Sequence, residues 1–278
     1  MENRVIGMQY DLIYDVGAHK GEDSEFYLLK GFRVIAIEAV PELCEDIRSR
    51  LRLHLQSGQL TLINAAIAER ARPVKFFVNE GNSVWGTTCE DWAKRNERLG
   101  APSRLITVDG ISFSEVLLKH GIPYYLKVDI EGSDLLCLHA LSAFASKPKY
   151  VSIETATRRW SDALEEFSTF RSLGYSRFKL VQQEHVSKQR CPNPPVEGSY
   201  VDYQFEYGAT GLFGEESPGR WMSEREALRA YKSIFLRHHL FGQESIIQRA
   251  KFGRYLCDRY LSRLPPCNLG WYDTHATI

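Results

Sequence analysis

One stretch near the start of the sequence, residues 12–38, constrains the fold more than any other part of the chain. An apolar run passes without a break into a turn marked by Gly17 and Gly21, and a helical segment follows the turn. A second apolar run comes directly after the helix and ends at Glu38. A strand, a glycine turn, a helix and a strand that ends in an acid form the first half of a nucleotide-binding βαβ unit. The sequence therefore predicts an α/β fold with a parallel sheet and a ligand site at this turn.

The spacing of the glycines in this turn distinguishes between two classes of cofactor. Dinucleotide-binding turns follow the pattern G-x-G-x-x-G, in which the backbone approaches a pyrophosphate closely. Here His19 stands at the position of the second glycine. Its β-carbon and imidazole would obstruct a diphosphate, whereas S-adenosylmethionine carries no phosphate. The turn after Asp15, with Glu38 at the end of the next strand, therefore favours S-adenosylmethionine.

The end of the third predicted strand extends this candidate site. Residues 60–63 form a short apolar run that is followed by Asn64, Ala65 and Ala66. Small residues at this position would leave a slot for a flat ring, and the Asn64 amide offers both a donor and an acceptor to an adenine edge. A polar strand end without a ligand explains the same residues equally well.

A second informative stretch covers residues 124–134. If residues 125–131 are extended, the two-residue period places Lys127, Asp129 and Glu131 on one face of a central strand. The ligand crevice of an open α/β sheet lies beyond the carboxyl ends of its strands, so both acids are expected to share the cleft of the first motif. The alternative is a buried ion pair of Lys127 with one of these acids, which would add little net stability. We favour the functional interpretation.

The composition narrows the range of partners. Lysine plus arginine equals aspartate plus glutamate at 35 residues each, so the net charge gives no reason to expect DNA, RNA or an anionic membrane surface. No secretory signal is visible, and no apolar run approaches the roughly 18 residues of a membrane span. The six cysteines are widely spaced without a C-x-x-C pair, which argues against a zinc cluster or a disulfide scaffold. We expect a cytoplasmic protein with reduced thiols. The grouped acids could alternatively hold a divalent cation, but no definite oxygen-ligand motif is present, so no metal ligands are assigned.

The C-terminal part of the chain is predicted to contain late strands and two helices. Residues 177–181 and 200–207 have the alternation of strands with one wetter face. After Gly208, Ser223 begins a helix with an apolar stripe, and a second stripe runs from Ile246 to Leu264. These stripes indicate core packing or a subunit contact, which includes a homodimer through the C-terminal helices.

The two motifs taken together, residues 14–21 and residues 126–132, resemble the FkbM family of S-adenosylmethionine-dependent methyltransferases. The element Leu-Lys-x-Asp-x-Glu-Gly carries most of this resemblance, which covers roughly residues 10–185. It implies an O-methyltransferase that acts on a hydroxyl of a sugar, a polyketide or another secondary metabolite.

The resemblance also implies a fold and a domain organisation. The expected fold is the class I methyltransferase fold, a Rossmann-like three-layer α/β structure with a seven-stranded mixed sheet. Its last hairpin would be formed by residues 177–207. A methyltransferase domain over residues 1–207 would then be followed by a C-terminal loop and helical extension over residues 208–278.

The site predictions follow from the motifs and from the chemistry. An alcohol is a poor nucleophile at neutral pH, so a positioned base is needed, and such a base contributes about 10²–10⁴-fold to the rate. The candidate catalytic residues are Asp129 and Glu131, followed by Glu154, which ends a later strand, and His19. The candidate cofactor-binding residues are Asp15, Gly17, Ala18, Gly21, Glu38, Asn64, Ala65 and Asp129.

Three other functions stay open at this point. An NAD(P)-dependent oxidoreductase would use the same type of βαβ unit, but His19 in the turn disfavours it. A non-catalytic, methyltransferase-like interaction module is suggested by the two apolar stripes of the C-terminal region. RNA methylation is a weaker alternative, since the chain has no net positive charge.

Overall fold

Twelve strands and eight α-helices are formed by residues 6–155, 159–241 and 270–278, the residues that this computed structural model describes. The strands are β1 (Met8–Val16), β2 (Arg33–Glu38), β3 (Leu60–Asn64), β4 (Ala66–Ile67), β5 (Val74–Asn79), β6 (Ser103–Val108), β7 (Gly110–Ile111), β8 (Ile122–Val128), β9 (Tyr150–Glu154), β10 (Arg177–Gln182), β11 (Met222–Ser223) and β12 (Tyr272–Thr277). The helices are α1 (Glu22–Leu29), α2 (Pro41–Arg50), α3 (Arg52–Ser57), α4 (Glu90–Arg98), α5 (Phe113–His120), α6 (Asp134–Leu141), α7 (Trp160–Ser172) and α8 (Glu224–Phe241).

The central sheet has the order β3-β2-β1-β8-β9-β12-β10-β11. The strands from β3 to β9 run parallel, and β12 is antiparallel to both of its neighbours. This arrangement confirms the predicted Rossmann-like α/β fold with a mixed sheet. The sheet has eight strands instead of the predicted seven, because the two-residue strand β11 pairs with the outer edge of β10.

The sheet is buried on both faces, which accounts for the continuous apolar run in the sequence of β1. Leu12, Tyr14 and Val16 belong to one apolar cluster, whereas Ile13 belongs to a second cluster. A strand that packs on two faces is favoured by a near-continuous run of apolar residues, since successive side chains point to opposite sides. Because β1, β2, β3 and β8 run parallel, their carboxyl ends lie at the same edge of the sheet. The two sequence motifs meet at this edge.

The last hairpin is not where the sequence predicted it. Strand β10 forms as expected, but its partner is β12, and residues 200–207 contain no strand. Instead, the aromatic side chains of this segment pack against α1, where Phe205 lies 4.7 Å from Phe26 between ring centroids. Strand β12 comes after residue 207 in the chain, but in the sheet it lies between β9 and β10. The predicted domain boundary after residue 207 therefore does not coincide with an edge of the sheet. The predicted second stripe, from Ile246 to Leu264, lies outside the described residues.

A buried acid joins α7 to the two central strands beside it. The side chain of Glu166 is 4% exposed, and it accepts a hydrogen bond from the Thr155 hydroxyl at 3.1 Å. Thr155 also contacts the hydroxyl of Thr274 on β12. Burial raises the pKa of Glu166 from 4.5 to about 8, although the two threonines act in the opposite direction. An acid with a higher pKa in the folded state binds more protons when folded, so the free energy of unfolding falls as pH rises between the two values.

Replacing Glu166 by glutamine is expected to remove this pH dependence, because an amide accepts the same hydrogen bond without ionising. The free energy of unfolding of Glu166→Gln relative to the original protein should increase by about 1 to 2 kcal/mol between pH 6 and pH 7.5, since one pKa unit corresponds to about 1.4 kcal/mol. Urea denaturation at several pH values measures this difference. Glu165→Gln, at an exposed position of the same helix, is the control with the same charge change. A difference that stays constant with pH would contradict the assignment.

Candidate active site

A cavity with an empty volume of about 800 Å³, including space open to solvent, lies at the carboxyl ends of the parallel strands. This is the position at which open α/β sheets bind their ligands. Its floor is made of small side chains, among them Ala39 and Ala66. The predicted site residues that line it are Gly17, Ala18, His19, Glu38, Ala65 and Asp129.

Glu38 is held in a fixed orientation at the end of β2. Its two carboxylate oxygens accept hydrogen bonds from the backbone N–H groups of His19 (2.9 Å) and Val40 (2.8 Å). Burial raises the pKa of Glu38, against the effect of these backbone donors. The amide of Asn64 donates to the carbonyl oxygens of Glu38 (3.0 Å) and Ala39 (3.1 Å). Asn64 therefore fixes the adjacent strand end and does not itself line the cavity.

Asp15 lies beneath the cavity, where it is fully buried. Its carboxylate accepts hydrogen bonds from the Lys127 ammonium (2.9 Å) and from the Ser24 hydroxyl (2.6 Å). Lys127 also donates to the carbonyl oxygen of Gly17 (3.1 Å) and lies 3.4 Å from a carboxylate oxygen of Asp23. Burial disfavours the ammonium, but Asp15, Asp23 and, from farther away, Asp129 hold the pKa of Lys127 well above its usual range. The sequence suggested an ion pair of Lys127 with Asp129 or Glu131, whereas the ion pairs that form are with Asp15 and Asp23.

Asp23 connects a C-terminal segment to the cavity. Its carboxylate accepts hydrogen bonds from the backbone N–H groups of Thr210 (2.9 Å) and Gly211 (3.3 Å), and the preceding residues Gly208 and Ala209 line the cavity. Burial raises the pKa of Asp23 to about 6, although Lys127 lowers it. Asp23 and Lys127 are not among the site residues predicted from the sequence. The available signal was an acid in the first turn of α1 together with a lysine inside the second motif.

The loop after β8 departs from the predicted extended geometry. The strand ends at Val128, and Glu131 has a φ of 49° in the left-handed region. The expectation that residues 125–131 are extended is therefore wrong, and the two-residue period does not continue to Glu131. The hydroxyl of Thr87 donates to the Glu131 carbonyl oxygen at 2.7 Å and holds this turn.

Three acids are predicted as candidate bases. Asp129 lines the cavity, whereas Glu131 and Glu154 do not. Burial raises the pKa of Asp129, and Lys127 opposes this rise. Burial also raises the pKa of Glu131 and Glu154 well above the usual range, and neighbouring carboxyl groups add to the effect. These two glutamates are thus strongly biased towards their protonated forms.

His19 connects the first turn to a segment that covers the cavity. Its φ of 51° is left-handed, and its Nε2 lies 2.9 Å from the hydroxyl oxygen of Ser83. Its Nδ1 lies 3.4 Å from a carboxylate oxygen of Glu22. Ser83 begins a short 3-10 helix (Ser83–Trp85), and Ser83 and Val84 both line the cavity. Both ring nitrogens of His19 are therefore occupied in linking these elements.

Gly21 has a structural position in the same turn. It lies at the N-cap of α1 with a φ of 82°, and its backbone N–H donates to the Ala18 carbonyl oxygen at 2.7 Å. A β-carbon at this position would lie 3.1 Å from a methyl group of Leu51. Gly21 therefore shapes the turn and does not line the cavity.

Fold and cavity together are those of a class I methyltransferase, and the comparison of sequences agrees. Residues 15–177 match the model of the family described as Methyltransferase FkbM domain. This match covers more than half of the chain, so the chain belongs to the FkbM methyltransferase family. No curated protein matches the sequence at a significant level.

Several solved structures are similar to the chain. Precorrin-6y C5,15-methyltransferase from Geobacter metallireducens is 14% identical, with 64% of this chain and 70% of that chain covered and a TM-score of 0.35. Precorrin-8w decarboxylase from Methanobacterium thermoautotrophicum is 18% identical with the same coverage and TM-score. A methyltransferase from Thiobacillus denitrificans, solved with S-adenosyl-L-homocysteine, is 10% identical, with 98% and 86% covered and a TM-score of 0.34.

S-adenosylmethionine is the cofactor of this methyltransferase, and the residues of the cavity fit it. The buried Glu38 carboxylate stands where a ribose acceptor is expected, and Ala39, Ala65 and Ala66 leave room for a flat ring. The imidazole of His19, which lies within reach of Ser83 and Glu22, also lines this cavity. Within the described parts of the chain, no helix is both long enough and apolar enough to cross a membrane.

Proposed function

We propose that the protein methylates a hydroxyl oxygen of a sugar or secondary-metabolite acceptor, with Asp129 as the general base. The observation that carries this proposal is the position of Asp129, which follows the carboxyl end of β8 and lines the cofactor cavity. No hydrogen bond from the described residues occupies its carboxylate. When bound, S-adenosylmethionine supplies an electrophilic methyl group on its sulfonium.

The environment of Asp129 suits the removal of a proton from an alcohol. Burial raises the pKa of its carboxyl group, which makes the carboxylate a stronger proton acceptor than an exposed one. The Lys127 ammonium limits this rise, because it favours the ionised form. The carboxylate is thus kept available and more basic at the same time. Its backbone is fixed by the hydrogen bond from the Asp129 N–H to the Val16 carbonyl oxygen at 2.9 Å.

The test is the isosteric replacement Asp129→Asn. We expect the methyl-transfer rate on a hydroxyl acceptor to fall by at least about 10²-fold, because the amide cannot take up the proton. Formation of S-adenosylhomocysteine measures the rate with a panel of sugar and polyketide alcohols, and mass spectrometry of the product distinguishes O-methylation from N-methylation. The affinity for S-adenosylhomocysteine, measured by calorimetry, should change less than tenfold.

Glu131→Gln is the matched control for this test. Its side chain lies next to the same loop but does not line the cavity, so its methyl-transfer rate should stay within about threefold of the original. Full activity of Asp129→Asn would exclude Asp129 as the base. A product methylated on nitrogen would contradict the proposed acceptor class.

The cytoplasmic location and a homodimer through the C-terminal helices stay predictions.

A further inference from the structure

A second groove adjoins the cofactor cavity. It has an empty volume of about 920 Å³, including space open to solvent, and the loop between β4 and β5 supplies half of the residues that line it. Ile67 and Thr88 line both the groove and the cavity. The hydroxyl of Thr88 lies 2.9 Å from that of Ser133, which also lines the cavity and follows the loop of Asp129. A molecule in this groove would therefore lie beside the cofactor cavity.

The groove is lined by an excess of positive charge. Arg70, Arg72 and Lys75 line it together with a single acid, Glu69. All three cationic residues are exposed. Lys75 interacts electrostatically with Glu90, which does not line the groove, whereas Arg70 and Arg72 have no ion pair with a described residue. The chain as a whole has equal numbers of cationic and acidic residues, so this excess is a local feature. Two such arginines beside a cavity are available to bind an anion.

The loop that carries the two arginines is fixed at both ends. The backbone N–H of Ala68 donates to the Ile111 carbonyl oxygen at 3.0 Å, and the N–H of Gly110 donates to the Arg72 carbonyl oxygen at 3.0 Å. A β-carbon at Gly110 would lie 2.4 Å from that same oxygen, so glycine permits this close contact. The arginines thus start from a defined backbone position, which lowers the entropic cost of binding.

We propose that this groove binds an oxyanion carried by the acceptor, either a phosphate or a carboxylate. The inference deepens the proposed function, on which it rests, because it assigns the acceptor to the anionic sugars and metabolites. Guanidinium groups form paired hydrogen bonds with both oxyanions.

Calorimetric titration of the protein saturated with S-adenosylhomocysteine tests this inference. The probes are glucose 6-phosphate, glucuronate and glucose, which differ in the anionic group. We expect one of the two anionic sugars to bind at least tenfold more tightly than glucose, and the tighter one identifies phosphate or carboxylate as the recognised group. In Arg70→Ala/Arg72→Ala the preference should fall at least tenfold, whereas the affinity for S-adenosylhomocysteine should be unchanged.

Arg225→Ala/Arg229→Ala is the matched control, since it removes two exposed arginines of α8 that do not line the groove. This variant should keep the preference for the anionic sugar. Equal binding of all three sugars, no binding of any of them, or a preference that survives in Arg70→Ala/Arg72→Ala would overturn the inference. A failure of the proposed function would appear separately, as an unchanged rate in Asp129→Asn or as N-methylation.

Discussion

Replacing Lys127 by methionine is expected to destabilise the protein by about 3–5 kcal/mol, the cost of leaving buried charges without their partner. The Lys127 ammonium lies 2.9 Å from Asp15 and 3.4 Å from Asp23, and all three side chains are buried. Methionine fills the volume of the lysine stem, but it supplies no charge. Two carboxyl groups would then share one buried site without a cation.

The loss of unfolding free energy in Lys127→Met should increase as pH rises. Lys127 lowers the pKa of Asp23, which burial has raised to about 6, so the loss of the lysine raises this pKa further. An acid whose pKa is higher in the folded state loses stability as pH rises from its unfolded value towards its folded value. The variant should therefore be closest to the original protein near pH 4 and most destabilised at pH 8.

Urea denaturation at pH 5 and pH 8, followed by circular dichroism, measures both effects of Lys127→Met. Lys119→Met removes an exposed lysine and should stay within about 0.5 kcal/mol of the original protein. Because Asp23 holds the amides of Thr210 and Gly211, the affinity for S-adenosylhomocysteine should also fall in Lys127→Met. A variant as stable as the original protein at pH 8 would contradict the role assigned to this ion pair.

The first βαβ unit could be predicted from the sequence because its determinants are local. A strand buried on both faces requires an uninterrupted apolar run, and the turn after it requires residues that tolerate a left-handed backbone. Gly17 and Gly21 meet this requirement with positive φ values. Glu38 could be predicted for the same reason, since the end of β2 is reached through one short helix. These constraints act within 30 residues and leave few alternatives.

The second motif could be predicted only in part, because its geometry depends on distant residues. Asp129 reaches the cavity as predicted, but Glu131 is turned away from it by a left-handed backbone that the Thr87 hydroxyl holds. The residue pattern does not show where β8 ends, so the sequence predicts an extended strand that continues beyond the actual end of β8. The partners of Lys127 are more than 100 positions earlier in the chain, and no local pattern identifies them.

The last strand could not be predicted because its sequence is polar. Residues 272–277 include Asp273, Thr274 and His275, all buried in the sheet. The hydroxyl of Thr274 has its partners directly after β9 and on α8, and only the tertiary fold brings these together. Residues 200–207 have the alternation of a strand, but they pack on α1, since the pairing of β10 is decided by β12. Alternation predicts which residues are buried, and it does not predict the surface that buries them.

Replacing Gly17 by alanine is expected to cost about 2–5 kcal/mol of unfolding free energy and to weaken the binding of S-adenosylhomocysteine at least hundredfold. A β-carbon at Gly17 would lie 1.9 Å from the carbonyl oxygen of Asp129, and the φ of 83° is itself unfavourable for alanine. The left-handed backbone costs about 1–2 kcal/mol and the overlap about 1–3 kcal/mol. The two loops cannot separate easily, because the Asp129 N–H is hydrogen-bonded to Val16 and the Gly17 N–H to Ile37.

Gly100→Ala separates these two costs of Gly17→Ala. Gly100 has a φ of 86°, but a β-carbon there would have no atom within 4 Å. This control should therefore show only the cost of the left-handed backbone, about 1–2 kcal/mol, with unchanged affinity for S-adenosylhomocysteine. Thermal denaturation and calorimetric titration of both variants make the comparison. If Gly17→Ala loses no more stability and no more affinity than Gly100→Ala, Gly17 is not needed for the close approach of the two motif loops. A larger loss in Gly17→Ala means that the contact between the first turn and the Asp129 backbone holds the cofactor cavity in shape.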